Sequence, residues 1–163
     1  MADGFVITFQ PIGIVHSPYT RAEGTPIQPR GADGVAGLVE VQPEYQQGLQ
    51  DIEGFSHIIL ICHLHQSKSA CMLVTPYLHD QLHGVFATRS SSRPNPIGLS
   101  TVRLVRVAGN ILHIENVDLL DGTPVLDIKP YVPQFDTEEN VRIGWLEQSI
   151  HALASTSDDG RFV

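Results

Sequence analysis

The sequence holds no apolar run that could cross a bilayer. Its longest uninterrupted apolar stretch is Ile58–Cys62, whereas a spanning helix needs about 20 such residues. No membrane partner is therefore expected. The chain opens Met1-Ala2-Asp3-Gly4, with no basic segment ahead of an apolar one, so nothing reads as a secretory leader and a cytoplasmic location is expected. Cysteine is scarce. Cys62 and Cys71 are the only two, and they form neither a Cys-x-x-Cys metal pair nor a disulfide framework. The glycine-rich turns of the common nucleotide folds are missing. Gly31, Gly34 and Gly37 give Gly-x-x-Gly-x-x-Gly without an apolar strand before it, and neither the dinucleotide fingerprint nor the P-loop occurs. Gly-x-Ser-x-Gly is absent too, which leaves a hydrolase elbow unsupported. Positive charge is short, with 10 Lys and Arg against 18 Asp and Glu, a net charge of −8. That argues against whole-surface binding to nucleic acid, which depends on phosphate neutralisation. It leaves room for a local basic patch, and Arg89, Arg93, Arg103 and Arg106 lie close together in the chain.

What remains is a globular balance, 42% hydrophobic and 17% charged over 163 residues, enough for one domain with a real core. Strand signals dominate. Phe5–Phe9, Ile12–Val15, Val35–Val41, Phe55–Leu64, Val85–Thr88, Leu99–Val107, Ile111–Val117 and Val125–Val132 are all β-prone. Phe55–Leu64 is apolar on both faces for much of its length, as in a central strand. Gly109-Asn110 and Asp121-Gly122 are turn dipeptides. Many short strands with Gly and Pro punctuation suggest a small barrel or sandwich. Residues 20–34 read as a long loop. A short helix is expected from Pro43 to Leu49. A longer one is expected after Asp136, with Glu139 completing a capping box, Ile143, Leu146, Ile150 and Leu153 forming a stripe, and Trp145 beside it. The tail Ser155–Val163 reads as polar and frayed.

His63 and His65 share a face on a strand, and His79 and His83 share one on a helix. These four are the candidates for zinc, set against chance in a chain with 8 histidines, and no metal is expected. Two segments carry more chemistry. In Arg93-Pro94-Asn95-Pro96-Ile97-Gly98, two prolines fix the backbone around an amide that can donate and accept at once, as the edge of a base requires. The same residues could serve as a rigid turn and nothing more. In Asp121–Tyr131, Asp127 and Lys129 fall on one face of a strand, either at a pocket edge or as a surface ion pair of little energetic weight. Pro124, Pro130 and Pro133 place that strand at an edge or rim.

These two segments resemble the signatures of the TsaA-like family, whose characterised members are the TrmO-type, or YaeB-like, tRNA methyltransferases. Ile12–Tyr19, Pro26-Ile27-Gln28-Pro29 and Gly54-Phe55-Ser56-His57 are similar to it as well, in the same order, so the resemblance runs from about residue 9 to residue 135. It implies a mostly β fold: one antiparallel β-barrel with one or two covering helices, occupying residues 1–135, with residues 136–163 as a helix and tail packed on the same domain. It implies S-adenosylmethionine as cofactor, a homodimer with the cofactor near the subunit interface, and tRNA as substrate. The implied reaction is methylation of N6 of the threonylcarbamoyl-adenosine next to the anticodon. Carried onto this sequence, the cofactor contacts fall on Gln28, Pro29, Arg30, Leu64, His65, Arg89, Leu99 and Asp118. Arg30 departs from the family pattern, where glycine is expected. Asn95 is the candidate to orient the amino group, and Lys129 and Tyr131 are candidates for charge stabilisation or proton handling. Many bacterial members carry a second domain after the barrel. Their longer architecture, with the acidic charge here, keeps a second reading in view: a sensor or adaptor that binds S-adenosylmethionine without transferring its methyl group.

Overall fold

The computed structural model describes residues 5–162; the opening Met1–Gly4 and the last residue of the tail lie outside them. Six strands close into a barrel in the order β1 (Gly13–His16), β2 (Ala36–Val41), β7 (Ile111–Glu115), β6 (Ile97–Ala108), β3 (His57–His63), β8 (Pro124–Pro130) and back to β1. Every pairing is antiparallel. A small separate sheet pairs β4 (Leu73–Val74) with β5 (His83–Gly84).

Alternation builds the core. In β3, Ile58, Leu60 and Cys62 point inward and are fully buried, while His57, Ile59, Ile61 and His63 point outward. β6 sends Ser100, Val102 and Leu104 inward. Val15, Val39, Val41, Leu112, Ile114, Val117 and Val125 complete the cluster. A register shift between Leu104 and Arg106 bends the long β6 as it crosses from β3 to β7. Gly109 at φ 64° makes the tight β6–β7 turn that the Gly-Asn dipeptide predicts.

Several expected elements take another form. Phe5–Phe9 pairs with no strand among the described residues, and Phe5, Val6, Ile7 and Phe9 are all exposed. Val85–Ala87 is a 3-10 turn rather than a strand, with Val85 buried and Phe86 turned to solvent. Pro43–Leu49 is helical but of the 3-10 type. The long helix after Asp136 is absent: a single α turn, α1 (Pro133–Asp136), precedes two 3-10 segments, Gly144–Gln148 and Ile150–Ser155. Asn140 and Gly144 sit at φ 58° and 59°, in the left-handed region that a continuing helix cannot contain. Asp136 reaches back to cap α1, accepting from the Val132 N–H at 2.7 Å. β8 is not an edge, since it pairs with β3 along its length and with β1 at its start; only the half that carries Lys129 lacks a second neighbour. The tail is held rather than frayed: Phe162 is buried with Val74 and Val85, and Tyr77 packs against them.

Among the described residues no helix is long and apolar enough to cross a membrane.

Candidate active site

One end of the barrel, its mouth, is where β1, β3 and β7 finish and β2, β6 and β8 begin. Two long loops cover it, residues 17–35 and residues 64–96. Asn116, at φ 65°, turns the chain after β7, a conformation asparagine tolerates better than most residues. Its Oδ1 accepts from the Gly34 N–H at 2.8 Å. The turn carries Asp118 across the mouth, where the inward-facing Ser100 hydroxyl donates to Asp118 Oδ1 at 2.5 Å. From the covering loops, Arg89 Nη1 donates to Gln28 Oε1 at 2.9 Å, joining the two loops over this carboxylate.

The electrostatics follow from that placement. Burial pushes the Asp118 carboxyl up to about 6, although the Ser100 hydrogen bond, its own backbone and the Arg89 charge all pull it down. Burial raises the Cys62 thiol to about 12, with the nearby Asp118 charge adding to the effect, so Cys62 is a core residue and not a nucleophile at neutral pH. Tyr19 is raised for the same two reasons in the same order. The His65 imidazole is lowered by burial and by the neighbouring His63.

Beside the mouth, Leu64 lies flat on Gly98. A Cβ at Gly98 would meet Leu64 Cδ2 at 2.7 Å, so only glycine leaves room for that apolar side chain. The loop holding Asn95 is fastened on both sides: Ile97 N–H donates to the Asn95 carbonyl at 2.7 Å, and Leu64 N–H to the Pro96 carbonyl at 2.8 Å. Arg93 turns inward and donates to the Thr88 and Ser90 carbonyls. Asn95 itself is exposed.

The structure thus brings Gln28, Arg89 and Asp118 together at the mouth, with Leu64 beside them. Pro29 and Arg30 sit on a 3-10 turn, Pro29–Gly31, next to Gln28, and Arg30 is exposed. Leu99 points the other way, onto the outer face of the barrel, 60% exposed. On that face it lines up with Ile61 of β3 and Asp127 of β8, while Thr101, Ile59 and Lys129 form the next row. Lys129 Nζ pairs with Asp127 at 2.8 Å, both side chains open to solvent. Tyr131 lies at the far end, its N–H on the His57 carbonyl and its ring edge-on to His57. From His57 to His63 is roughly 20 Å along β3, so within one subunit Tyr131 and Asn95 stand at opposite ends of the outer face.

Ser100, Tyr19 and Cys62 were not among the sequence candidates. Ser100 had a legible signal, a polar residue at an inward position of an apolar alternation. His79 and His83 touch at 2.8 Å between Nδ1 and Nε2, and Trp145 stacks on His83. No group of three or more metal-type side chains converges among the described residues.

The residues at the mouth suit S-adenosylmethionine by their chemistry. A guanidinium faces where a carboxylate can pair with it, a sheltered carboxylate can accept from hydroxyl or amino groups, and Leu64 offers an apolar wall.

Residues 14–137 match the family model of the tRNA-methyltransferase O N-terminal domain. A probable S-adenosyl-L-methionine-binding protein of Pyrococcus abyssi is 60% identical over 157 residues, covering 96% of this chain and 85% of that protein. The human tRNA (adenine(37)-N6)-methyltransferase is 34% identical over 141 residues, 81% of this chain and 32% of the enzyme. A crystal structure of TrmO from Pseudomonas aeruginosa superposes with a TM-score of 0.73 at 37% identity, covering 86% of this chain and 63% of that one. The chain therefore spans about a third of the human enzyme and under two thirds of the bacterial structure.

Proposed function

The chain belongs to the family of the tRNA-methyltransferase O N-terminal domain, and from that premise we propose that it transfers the methyl group of S-adenosylmethionine to the N6 amino group of an adenosine in tRNA, the threonylcarbamoyl-adenosine beside the anticodon being the specific target. The observation that carries this reading is the Gln28–Arg89–Asp118 constellation, lying within the matched stretch and built by three separate segments over one barrel mouth.

When bound, S-adenosylmethionine supplies an electrophilic methyl on a sulfonium centre. Arg89 pairs with the carboxylate of the methionine moiety, and Gln28 keeps the guanidinium aimed. Asp118, with Oδ1 already held by Ser100, accepts from the ribose or amino groups. Leu64 gives apolar contact, and His65 and the Pro29–Arg30 backbone close the margin, while Leu99, on the outer face of the barrel, is turned away from the cofactor and left to the subunit contact. Asn95 would accept a hydrogen bond from the single N6–H of the carbamoylated base and so hold that nitrogen in place, with Pro94 and Pro96 limiting the loop's freedom. That amine must lose a proton as the new bond forms. Lys129 and Tyr131 are the proposed groups for stabilising charge and for handling that proton, which passes on to solvent water because the Lys129 ammonium, ion-paired with Asp127, is a donor only. An Asn95→Ala protein should bind cofactor normally and transfer methyl at least about tenfold more slowly, on the scale of lost orientation. Transfer at the normal rate by a variant that binds normally removes the role.

The separation of Asn95 from Tyr131 supports the homodimer. An isologous contact over the outer face of β8, β3 and β6, with the two-fold axis running across the strands, sets one copy's Asn95 end against the other's Lys129–Tyr131 end. Ile97 and Leu99, 43% and 60% exposed, supply apolar surface for it. Light scattering at micromolar concentration should give twice the chain mass; a monomer that binds cofactor fully contradicts the arrangement.

The sensor reading is favoured by one observation, that the Pyrococcus abyssi relative is named for binding S-adenosylmethionine and not for transfer.

A further inference from the structure

The segment from Gly144 to Phe162 lies wholly beyond the stretch shared with the family model, and its contacts alternate between the two loops that cover the mouth. Trp145 Nε1 donates to the Ala87 carbonyl at 2.8 Å, two residues from Arg89, while its ring stacks on His83. The Leu153 and Ala154 carbonyls then lie against Gly31, closing on the Pro29–Gly31 turn. Ser157 forms an antiparallel bridge with Pro26, and Asp158 exchanges two backbone hydrogen bonds at 2.8 Å with Gly24 and Thr25, just before Gln28.

The chain then crosses back. Arg161 donates to the Thr75 and Pro76 carbonyls and lies over the Tyr77 ring. The Phe162 ring is buried edge-on to Tyr77, against Val74 and Val85. Its carbonyl accepts from the Lys68 N–H at 3.1 Å and from the Ser91 and Ser92 hydroxyls at 3.5 Å. Ser91 and Ser92 stand midway between Arg89 and Asn95.

From this path we infer that residues 144–162 form a positioning strap that sets the spacing between the two mouth loops, with Phe162 as its anchor, and so controls cofactor affinity without touching the cofactor. A loop of the length of 64–96 has little regular structure of its own, and without a tie it samples many conformations. Gln28 and Arg89 come from different loops, so the 2.9 Å hydrogen bond between them forms only while both are held in register. The strap is the element that binds to both. Its anchor cluster of Val74, Val85 and Phe162 is separate from the barrel core, so loosening it leaves the barrel standing.

This inference rests on the S-adenosylmethionine reading of the mouth, and its test separates the two. Wild-type protein, Phe162→Ala and Phe162→Leu are compared by calorimetric titration with S-adenosylmethionine and by amide hydrogen exchange. In Phe162→Ala, affinity should fall by about tenfold or more, the amides of Lys68 and Cys71 should exchange at least about tenfold faster, and those of Ile58–Cys62 should keep their protection, as a local opening requires. The Leu variant, which refills the pocket, should recover affinity to within about threefold of wild type. Failure of the wild type to bind the cofactor overturns the reading of the site, while the exchange result still reports on the strap. Unchanged affinity beside faster loop exchange overturns the strap as a positioning element, as does equal loss of protection in the barrel amides. Should Phe162→Ala not accumulate as folded protein, Trp145→Phe keeps the stacking ring and removes only the bond to Ala87; it must also weaken binding, and unchanged affinity there has the same force.

Discussion

Replacing Arg89 with alanine should weaken S-adenosylmethionine binding by about 2–4 kcal/mol, the range for losing one partner of a desolvated charge pair. Three features of the mouth set this expectation. Arg89 is the guanidinium beside Asp118, and its charge pulls that carboxyl down against burial. It bridges the covering loops through Gln28. Its exposed side chain leaves it free to turn toward a ligand carboxylate. Lysine copies a two-pronged pairing poorly, so Arg89→Lys should recover only part of the loss. Folding should be almost untouched, because an exposed residue at the mouth adds little to the core. Calorimetric titration beside a thermal melt reads both halves. Unchanged affinity returns the carboxylate contact to the backbone, since the Arg93 guanidinium is turned to the Thr88 and Ser90 carbonyls.

Asp118→Asn should have the opposite effects on stability and on binding. The folded carboxyl titrates at about 6 against an ordinary value of 3.8, chiefly because it is buried. A carboxyl whose folded value is raised holds its proton more tightly in the native state than in the unfolded chain. Its contribution is therefore most favourable below about pH 4 and is lost as pH rises through about 6. Above that pH the ionised group costs of the order of 2–3 kcal/mol. The asparagine variant escapes that cost. Its melting temperature should exceed wild type by roughly 5–10 °C at pH 8 and differ little at pH 4. Cofactor affinity should meanwhile drop by about tenfold or more, since a charged acceptor is lost from the site. A variant that is less stable at pH 8, or whose stability gain is the same at both pH values, shows that Asp118 serves the fold and not the ligand.

The strands were legible because they obey a simple rule. Ile58, Leu60 and Cys62 alternate with outward neighbours and the Gly109-Asn110 turn fixes one hairpin, but alternation alone left barrel and sandwich open, and the closed barrel was what the family resemblance implied. Failures came where local pattern and tertiary context disagree. Val85–Thr88 has β-branched and aromatic residues but follows a strand of only two residues, and it folds as a tight turn that buries Val85 and Thr88 and leaves Phe86 and Ala87 exposed. Ile143, Leu146, Ile150 and Leu153 keep helical spacing, yet the left-handed Asn140 and Gly144 stop a helix from forming across them. Phe162 was invisible in a polar tail because the cavity that receives it is assembled from Val74, Val85 and Tyr77, residues far away in the chain. At the site, the resemblance named Gln28, Arg89 and Asp118, but no spacing rule could show that they meet. Their meeting depends on the turn at Asn116 and on two loops folding over one mouth. The same geometry separates Asn95 from Tyr131, a fact the sequence does not contain.

The central claim is methyl transfer to tRNA, and the most direct measurement is incorporation of label from methyl-labelled S-adenosylmethionine into bulk tRNA by the purified chain. The expected result is stoichiometric labelling of N6 of the threonylcarbamoyl-adenosine beside the anticodon, with no labelling of tRNA that lacks the threonylcarbamoyl group. Tight binding of S-adenosylmethionine with no label entering any tRNA contradicts the claim and leaves a cofactor-binding sensor in its place.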